Sequence, residues 1–238
     1  MSRNANKQLP SWRCENAILR AFTLLELLTV ISVIAIMMVS VMPAFTRIKG
    51  AGDVTKAAFD VAGTLEQARS YAMANNTYVF VGFTERDGMD VTKTGVGQIL
   101  MAAMGSKDGT RNFGTNNSNL VPLSKLRRIE NVHLQDSLPN SGTMTRPTVD
   151  SAYQVGNAAF QLGAPFTSGF TVSSGYSFTK IIQFDPRGTA SIPSATVSVP
   201  HWMEIGLVGA RGNSVAGTSN CAALVLGGVT GSAKIYRP

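Results

Sequence analysis

One apolar run near the start of the chain limits what it can fold into more than any other feature. The run extends from Phe22 to Phe45, with the sequence FTLLELLTVISVIAIMMVSVMPAF, and Glu26 is its only ionisable side chain. As a helix rising about 1.5 Å per residue, it would reach roughly 36 Å, more than the roughly 30 Å core of a bilayer. The pattern therefore predicts a transmembrane helix.

The flanks of this run indicate its orientation. The leader before it is the more basic flank, with Arg3, Lys7, Arg13 and Arg20 against Glu15. Because basic flanks stay in the cytoplasm, we expect a cytoplasmic N-terminus and a periplasmic C-terminal domain. The run is too long for a secretory signal peptide, whose apolar region spans about 7–15 residues. A plain signal anchor must explain Glu26, since a charge in hydrocarbon costs about 2.5–3.5 kcal/mol.

The segment Ala21-Phe22-Thr23-Leu24-Leu25-Glu26 resembles the class III signal of prepilins. The resemblance implies that a prepilin peptidase cuts between Ala21 and Phe22 and methylates the new amine of Phe22. It also implies that Glu26, the fifth mature residue, pairs with that amine on a neighbouring subunit and sets the register of assembly. Pro43 then occupies the position where these proteins have a helix-kinking proline. One departure is that Ala21 stands where the family usually has glycine.

Beyond the apolar run, apolar residues recur at helical steps of three and four, at Val54, Ala58, Val61, Leu65, Ala68 and Ala72. This spacing predicts one helix from Phe22 to about Ala74, ended by Asn75 and Asn76. A first strand is predicted at 77–83, and later ones at 98–104, 131–135, 177–184, 202–208, 222–229 and 233–236. The stretches 106–119 and 137–175 are predicted to be loops or variable insertions.

These elements predict an α+β fold class: a long N-terminal α-helix, with a transmembrane half and an amphipathic half, packed on an antiparallel β-sheet domain in a pilin-like manner. The predicted organisation is a removed basic leader at 1–21, a transmembrane and assembly helix at 22–45, an amphipathic half of the spine helix at 46–76, and a β-rich globular domain at 77–238.

Three further segments, at 65–72, 182–188 and 229–234, resemble the minor pseudopilin H family of type II secretion. The chain length and loop insertions are more similar to the prepilin-type group called Verru_Chthon cassette protein D. These resemblances imply a structural, minor subunit of a type IV pilus-like or type II secretion pseudopilus filament. Its implied partners are a prepilin peptidase, other pilin or pseudopilin subunits and the inner membrane, which it leaves for the filament.

An alternative function is that of a minor pilin that binds DNA for uptake, through Arg211, Lys234 and Arg237. The formal net charge of the chain is +7, but the leader carries +3 of it. So mild an excess is more typical of a solvated surface than of a phosphate-binding one. A nucleic-acid partner is therefore not favoured.

Residues that could carry catalysis or bind a metal are sparse. His133 and His201 are far apart in sequence, without the spacing of metal ligands, and a structural role is predicted for each. The glycines of 206–212 predict a hairpin rather than a nucleotide-binding loop, and Asp87, Asp90 and Asp108 are predicted to be turn residues that could bind a cation. We expect no enzyme, no cofactor and no metal site, and keep an anchored envelope enzyme as a third hypothesis.

Overall fold

A computed structural model describes residues 23–139, 144–196 and 198–238, with the backbone alone at 40–51 and 115. The chain divides into two compact units between Phe45 and Thr46. One α-helix, α1 (Leu24–Ala74), runs through both units. Residues 46–76, which the sequence analysis separated from the β-rich domain, belong to the same unit as the strands.

The prediction that the first half of the helix is transmembrane is wrong. In the part of the chain that the structure describes, no helix is long and apolar enough to cross a membrane. The predicted α+β class, with its half-transmembrane helix in a pilin-like arrangement, is therefore overturned.

Strands follow α1 in the second unit. They are β1 (Val79–Asp87), β2 (Gly97–Ser106), β3 (Leu120–Pro122), β4 (Arg127–Glu130), β5 (Val132–Gln135), β6 (Phe170–Thr171), β7 (Ser177–Phe178), β8 (Lys180–Phe184), β9 (Ala190–Ser191), β10 (Trp202–Arg211), β11 (Ser214–Val215), β12 (Cys221–Gly227) and β13 (Ala233–Tyr236). All seven predicted strand regions contain a strand, although β7 and β8 divide the region 177–184. The strands β3, β4, β6, β9 and β11 were not predicted, because they are short and lack a clear alternation of apolar and polar residues.

The strands form two main antiparallel sheets. The larger has the order β3-β2-β1-β8-β9, with β4 also paired to β2. The smaller has the order β11-β10-β12-β13, with β5 also paired to β10. The predicted hairpin at 206–212 is confirmed, since β10 turns at Gly212, with φ of 59°, into β11.

The second-unit part of α1 packs on one face of both sheets. Its inner face, predicted from the steps of three and four, is at most 1% exposed at Val54, Ala58, Val61, Leu65, Ala68 and Ala72. These residues share one core with alternate residues of the central strands, such as Val81 and Ile205. Full burial of a side chain the size of Leu65 contributes about 1.5–3 kcal/mol.

A second apolar core covers the opposite face of the larger sheet. There Phe80, Leu100 and Ile181 pack against Phe113 and Phe170, which come from the stretches predicted to be loops. Gly82 makes room for this layer, because a Cβ on it would lie 2.6 Å from Phe170 Cζ. The prediction of loops or variable insertions at 106–119 and 137–175 is confirmed as to loops, since the described parts of these stretches are largely irregular in backbone. The sequence did not predict that their aromatic side chains form a core.

Candidate functional site

The first unit presents an apolar helical segment that is exposed all round. We call Leu24–Val39 the apolar segment. Its large apolar side chains range in exposure from 46% at Ile34 to 83% at Leu24, and they occupy every side of the helix. A helix that is apolar all round is normally buried. The segment therefore calls for a partner.

The start of α1 is capped by a pattern that the sequence analysis did not use. Thr23 Oγ1 accepts a hydrogen bond from the backbone N–H of Glu26 at 3.1 Å, and the Thr23 carbonyl accepts one from the N–H of Leu27 at 3.1 Å. Threonine followed three residues later by glutamate is the spacing of a capping box. This spacing alone could have predicted that the helix begins at Leu24, just after the proposed cleavage point.

Glu26 lies in the first turn of α1, where a negative charge is favoured by the helix dipole. The hydroxyls of the next two polar residues bond to their own helix: Thr29 donates to the Glu26 carbonyl and Ser32 to the Leu28 carbonyl, each at 2.8 Å. Among the described residues no cation lies within salt-bridge distance of the Glu26 carboxylate. The Glu26 side chain is exposed.

The structure describes less of the other residues in the predicted processing and assembly site. Ala21 and Phe22 lie outside the described residues. Pro43 lies within α1, in the stretch described by its backbone alone. Cleavage before Phe22, methylation of Phe22 and a kink at Pro43 stay predictions.

The three basic residues of the DNA alternative have different surroundings. The Arg237 guanidinium donates to Thr55 Oγ1 of α1 and, at 2.9 Å, to Asn220 Oδ1. Lys234 Nζ lies 5.1 Å from the centre of the Tyr236 ring, and Arg211 is exposed at the end of β10. The Arg237 guanidinium holds the C-terminus against α1. This guanidinium is therefore less available to a phosphate than the sequence suggested.

The structural role predicted for His133 is confirmed. Its Nδ1 lies 2.8 Å from Glu85 Oε1, which also accepts the backbone N–H of Leu134 at 2.7 Å. Glu85 on β1 thus joins the larger sheet to β5 of the smaller one. Nearby, Lys180 Nζ donates to the Gly156 carbonyl at 2.8 Å, and burial lowers the pKa of Lys180, while the charges of Glu85 and Asp136 act in the opposite direction.

The aspartates singled out in the sequence act as turn residues. Asp87 Oδ1 accepts the N–H of Met89 at 2.7 Å, and Asp90 Oδ1 accepts the hydroxyl of Thr92 at 2.6 Å. Asp108 Oδ1 accepts four hydrogen bonds, from Ser106, twice from Thr110 and from Asn119. The Asn119 amide, at 2.6 Å, is the main reason that the pKa of Asp108 is held well below its usual range.

Asp108→Asn should reduce stability at neutral pH and lose that effect in acid. Because the pKa of Asp108 is lowered on folding, its stabilising contribution is complete above the ordinary carboxyl value of about 3.9 and is lost as the pH falls through the folded value. The difference between the thermal unfolding midpoints of the wild type and the variant, measured from pH 6 to pH 2, should therefore begin to shrink below about pH 4 and keep shrinking down to pH 2. A constant difference across the whole range would contradict this role.

Among the residues that the structure describes, no group of three or more His, Cys, Asp or Glu side chains is placed to hold a metal ion.

Comparison with protein-family models, with curated proteins and with solved structures finds no match for this chain. The prepilin interpretation therefore depends on the motif at 21–26 and on the properties of the apolar segment.

Proposed function

We propose that this chain is a structural subunit of a filament of the type IV pilus or type II secretion pseudopilus kind, matured by a prepilin peptidase that cuts between Ala21 and Phe22. Copies associate through the apolar segment, and other pilin or pseudopilin subunits are its partners. We propose a structural role for the chain and not an enzymatic one. The location of the unassembled subunit, which the sequence analysis placed in the inner membrane, stays a prediction.

The all-round exposure of the apolar segment is the observation that carries this proposal. Leu24, Leu25 and Met38, for example, expose 83%, 74% and 67% of their surface. Burial of apolar area contributes about 25 cal/mol per Å², so packing such helices side by side stabilises a bundle strongly. Mutual packing of several copies would cover every side of the helix at once.

The carboxylate of Glu26 gives such a bundle its register. Surrounded by apolar side chains from neighbouring helices, it needs a positive partner, and the amine freed at Phe22 by cleavage would be that partner. Removing one member of a buried ion pair costs about 3–5 kcal/mol, because the other charge stays uncompensated. Assembly should therefore depend on Glu26 far more than on other surface acids.

Glu26→Ala is expected to abolish filament formation. In cells with an active prepilin peptidase, wild-type filaments sheared from the surface or collected by ultracentrifugation should contain this chain, and the variant should leave it unassembled. Glu130→Ala, which removes an exposed acid from β4, is the control and should assemble normally. Expression level and peptidase activity are checked on the same cells.

The same samples test maturation. N-terminal sequencing and intact mass of the wild-type protein should identify a methylated Phe22 as the first residue. An intact leader on protein from peptidase-active cells would refute the proposal, as would filaments of normal yield from the Glu26→Ala strain.

A further inference from the structure

In the second unit α1 has a second face, turned away from the sheets. Six exposed residues recur along it at steps of four and three: Gly52, Lys56, Phe59, Gly63, Glu66 and Ser70. At 3.6 residues per turn they fall in one narrow stripe on the side opposite the buried Val61. We call this stripe the outer face.

Phe59 and Gly63 are adjacent on the outer face and are not explained by packing within the chain. Phe59 exposes 65% of its surface. A methyl group added at Gly63 would meet no described atom within 4 Å, so the fold does not require a glycine there, although glycine weakens a helix relative to alanine. The pair presents an apolar knob next to a place where another helix could approach closely.

The order of residues on the outer face is symmetric about the level of Val61. Phe59 and Gly63 lie two residues to either side of it, and Lys56 and Glu66 lie five residues to either side. A two-fold axis at this level, perpendicular to the helix, reverses the chain direction. It therefore brings each knob to the level of a glycine and each lysine to the level of a glutamate.

We propose that α1 pairs antiparallel with α1 of a second copy of this chain, through the outer face and about this two-fold axis. Phe59 packs against Gly63 of the second copy, and Lys56 pairs with its Glu66. The Glu66 carboxylate also accepts from Arg69 of its own helix at 2.9 Å, but exposed pairs of this kind contribute little. Charges of both signs border the apolar centre, which matches a second copy better than a lipid surface.

A two-fold contact of this kind closes on itself and does not propagate. It is therefore distinct from the contacts that would build a filament, and it defines a self-limited dimer. The pairing is independent of leader cleavage and of the apolar segment, so it stands or falls separately from the proposed function.

Zero-length cross-linking of the full chain tests the pairing directly. A carbodiimide joins a lysine amine to a carboxylate only when the two groups touch. Lys56 and Glu66 of one helix are about 15 Å apart along its axis, so an amide between them must join two copies. With the chain in a mild detergent that covers the apolar segment, and with isotopically light and heavy copies mixed, we expect a mixed-label peptide linking Lys56 to Glu66. Absence of this peptide at the highest soluble concentration would overturn the proposal.

Charge exchange provides the second test, by sedimentation of the same detergent-held chains. Lys56→Glu alone or Glu66→Lys alone places like charges together and should raise the dimer dissociation constant about tenfold or more. The double variant carrying both changes restores opposite charges in every pair and should recover dimerisation. A double variant that dissociates as readily as the single variants would exclude this arrangement.

Phe59→Asp should likewise give monomers, because it places a charge at the centre of the contact. Val229, which is 70% exposed in the turn between β12 and β13, provides the matched control, and Val229→Asp should leave the dimer intact. Circular dichroism of each variant confirms that the helix is retained. Equal dimerisation of the Phe59→Asp chain and the wild type would refute the outer face as the contact.

Discussion

Replacing Glu204 with glutamine is expected to lower the free energy of unfolding by about 3–5 kcal/mol. Glu204 on β10 and Arg146 form a two-pronged ion pair, with Nε to Oε2 at 2.9 Å and Nη2 to Oε1 at 3.0 Å. Both side chains are only 3% exposed. The same guanidinium donates to the carbonyls of Leu138 and Pro139, so it fastens the segment before β6 to the smaller sheet. Without the carboxylate, a buried positive charge loses its counter-charge.

Urea-induced unfolding of the full chain in mild detergent measures this loss, with the fluorescence of Trp202, two residues from Glu204, as the signal. Replacing both partners, with Arg146→Met and Glu204→Leu, should recover most of the stability, because the desolvation cost of the ions disappears with the pair. Arg69→Met is the control at a less buried pair, since the side chains of Arg69 and Glu66 are 25% and 52% exposed, and it should cost about 1 kcal/mol or less. A Glu204→Gln variant as stable as that control would show that the buried pair contributes little.

Phe170→Ala should destabilise the chain by about 3–5 kcal/mol, the usual cost of removing a buried phenylalanine ring. Phe170 is 1% exposed, and its ring stacks on Phe178 at 5.2 Å and meets Phe113 edge-on at 6.1 Å. The alanine leaves a cavity between the larger sheet and the irregular segment that covers it. Unfolding in urea under the same conditions gives the size of the effect.

Phe59→Ala is the matched control for this prediction, because it removes the same ring from a side chain that is 65% exposed. At a protein concentration too low for dimers, it should change stability by no more than about 0.5 kcal/mol. If Phe170→Ala also proved nearly neutral, the segment over the larger sheet would be an appendage and not part of the core.

Features that depend on residues close together in the sequence were predicted correctly, and features that join distant residues were not. The inner face of α1 and the hairpin at Gly212 were predicted because each depends on residues a few positions apart. Arg146 and Glu204 are 58 positions apart, and no local pattern marks either as buried. The bond between Glu85 and His133 joins strands 48 positions apart, so the partner of His133 was equally hidden.

The candidate site divides in the same way. Its composition was evident in the sequence: a long apolar run, one carboxylate in its first turn and the motif at 21–26. The capping pattern from Thr23 to Glu26 was also present there, although it was not used. Only the structure showed that the apolar segment is exposed on every side. It also showed that Arg211, Lys234 and Arg237 have separate surroundings.

The sequence by itself determined where α1 buries a face and where most strands lie, because helical and strand periodicities are set by neighbours along the chain. Only the tertiary structure decided that irregular segments supply a second core, that one arginine is buried beside a glutamate, and that the outer face of α1 is symmetric and bare. Contacts between distant segments depend on how the whole chain packs, and that information is not carried by any short stretch of residues.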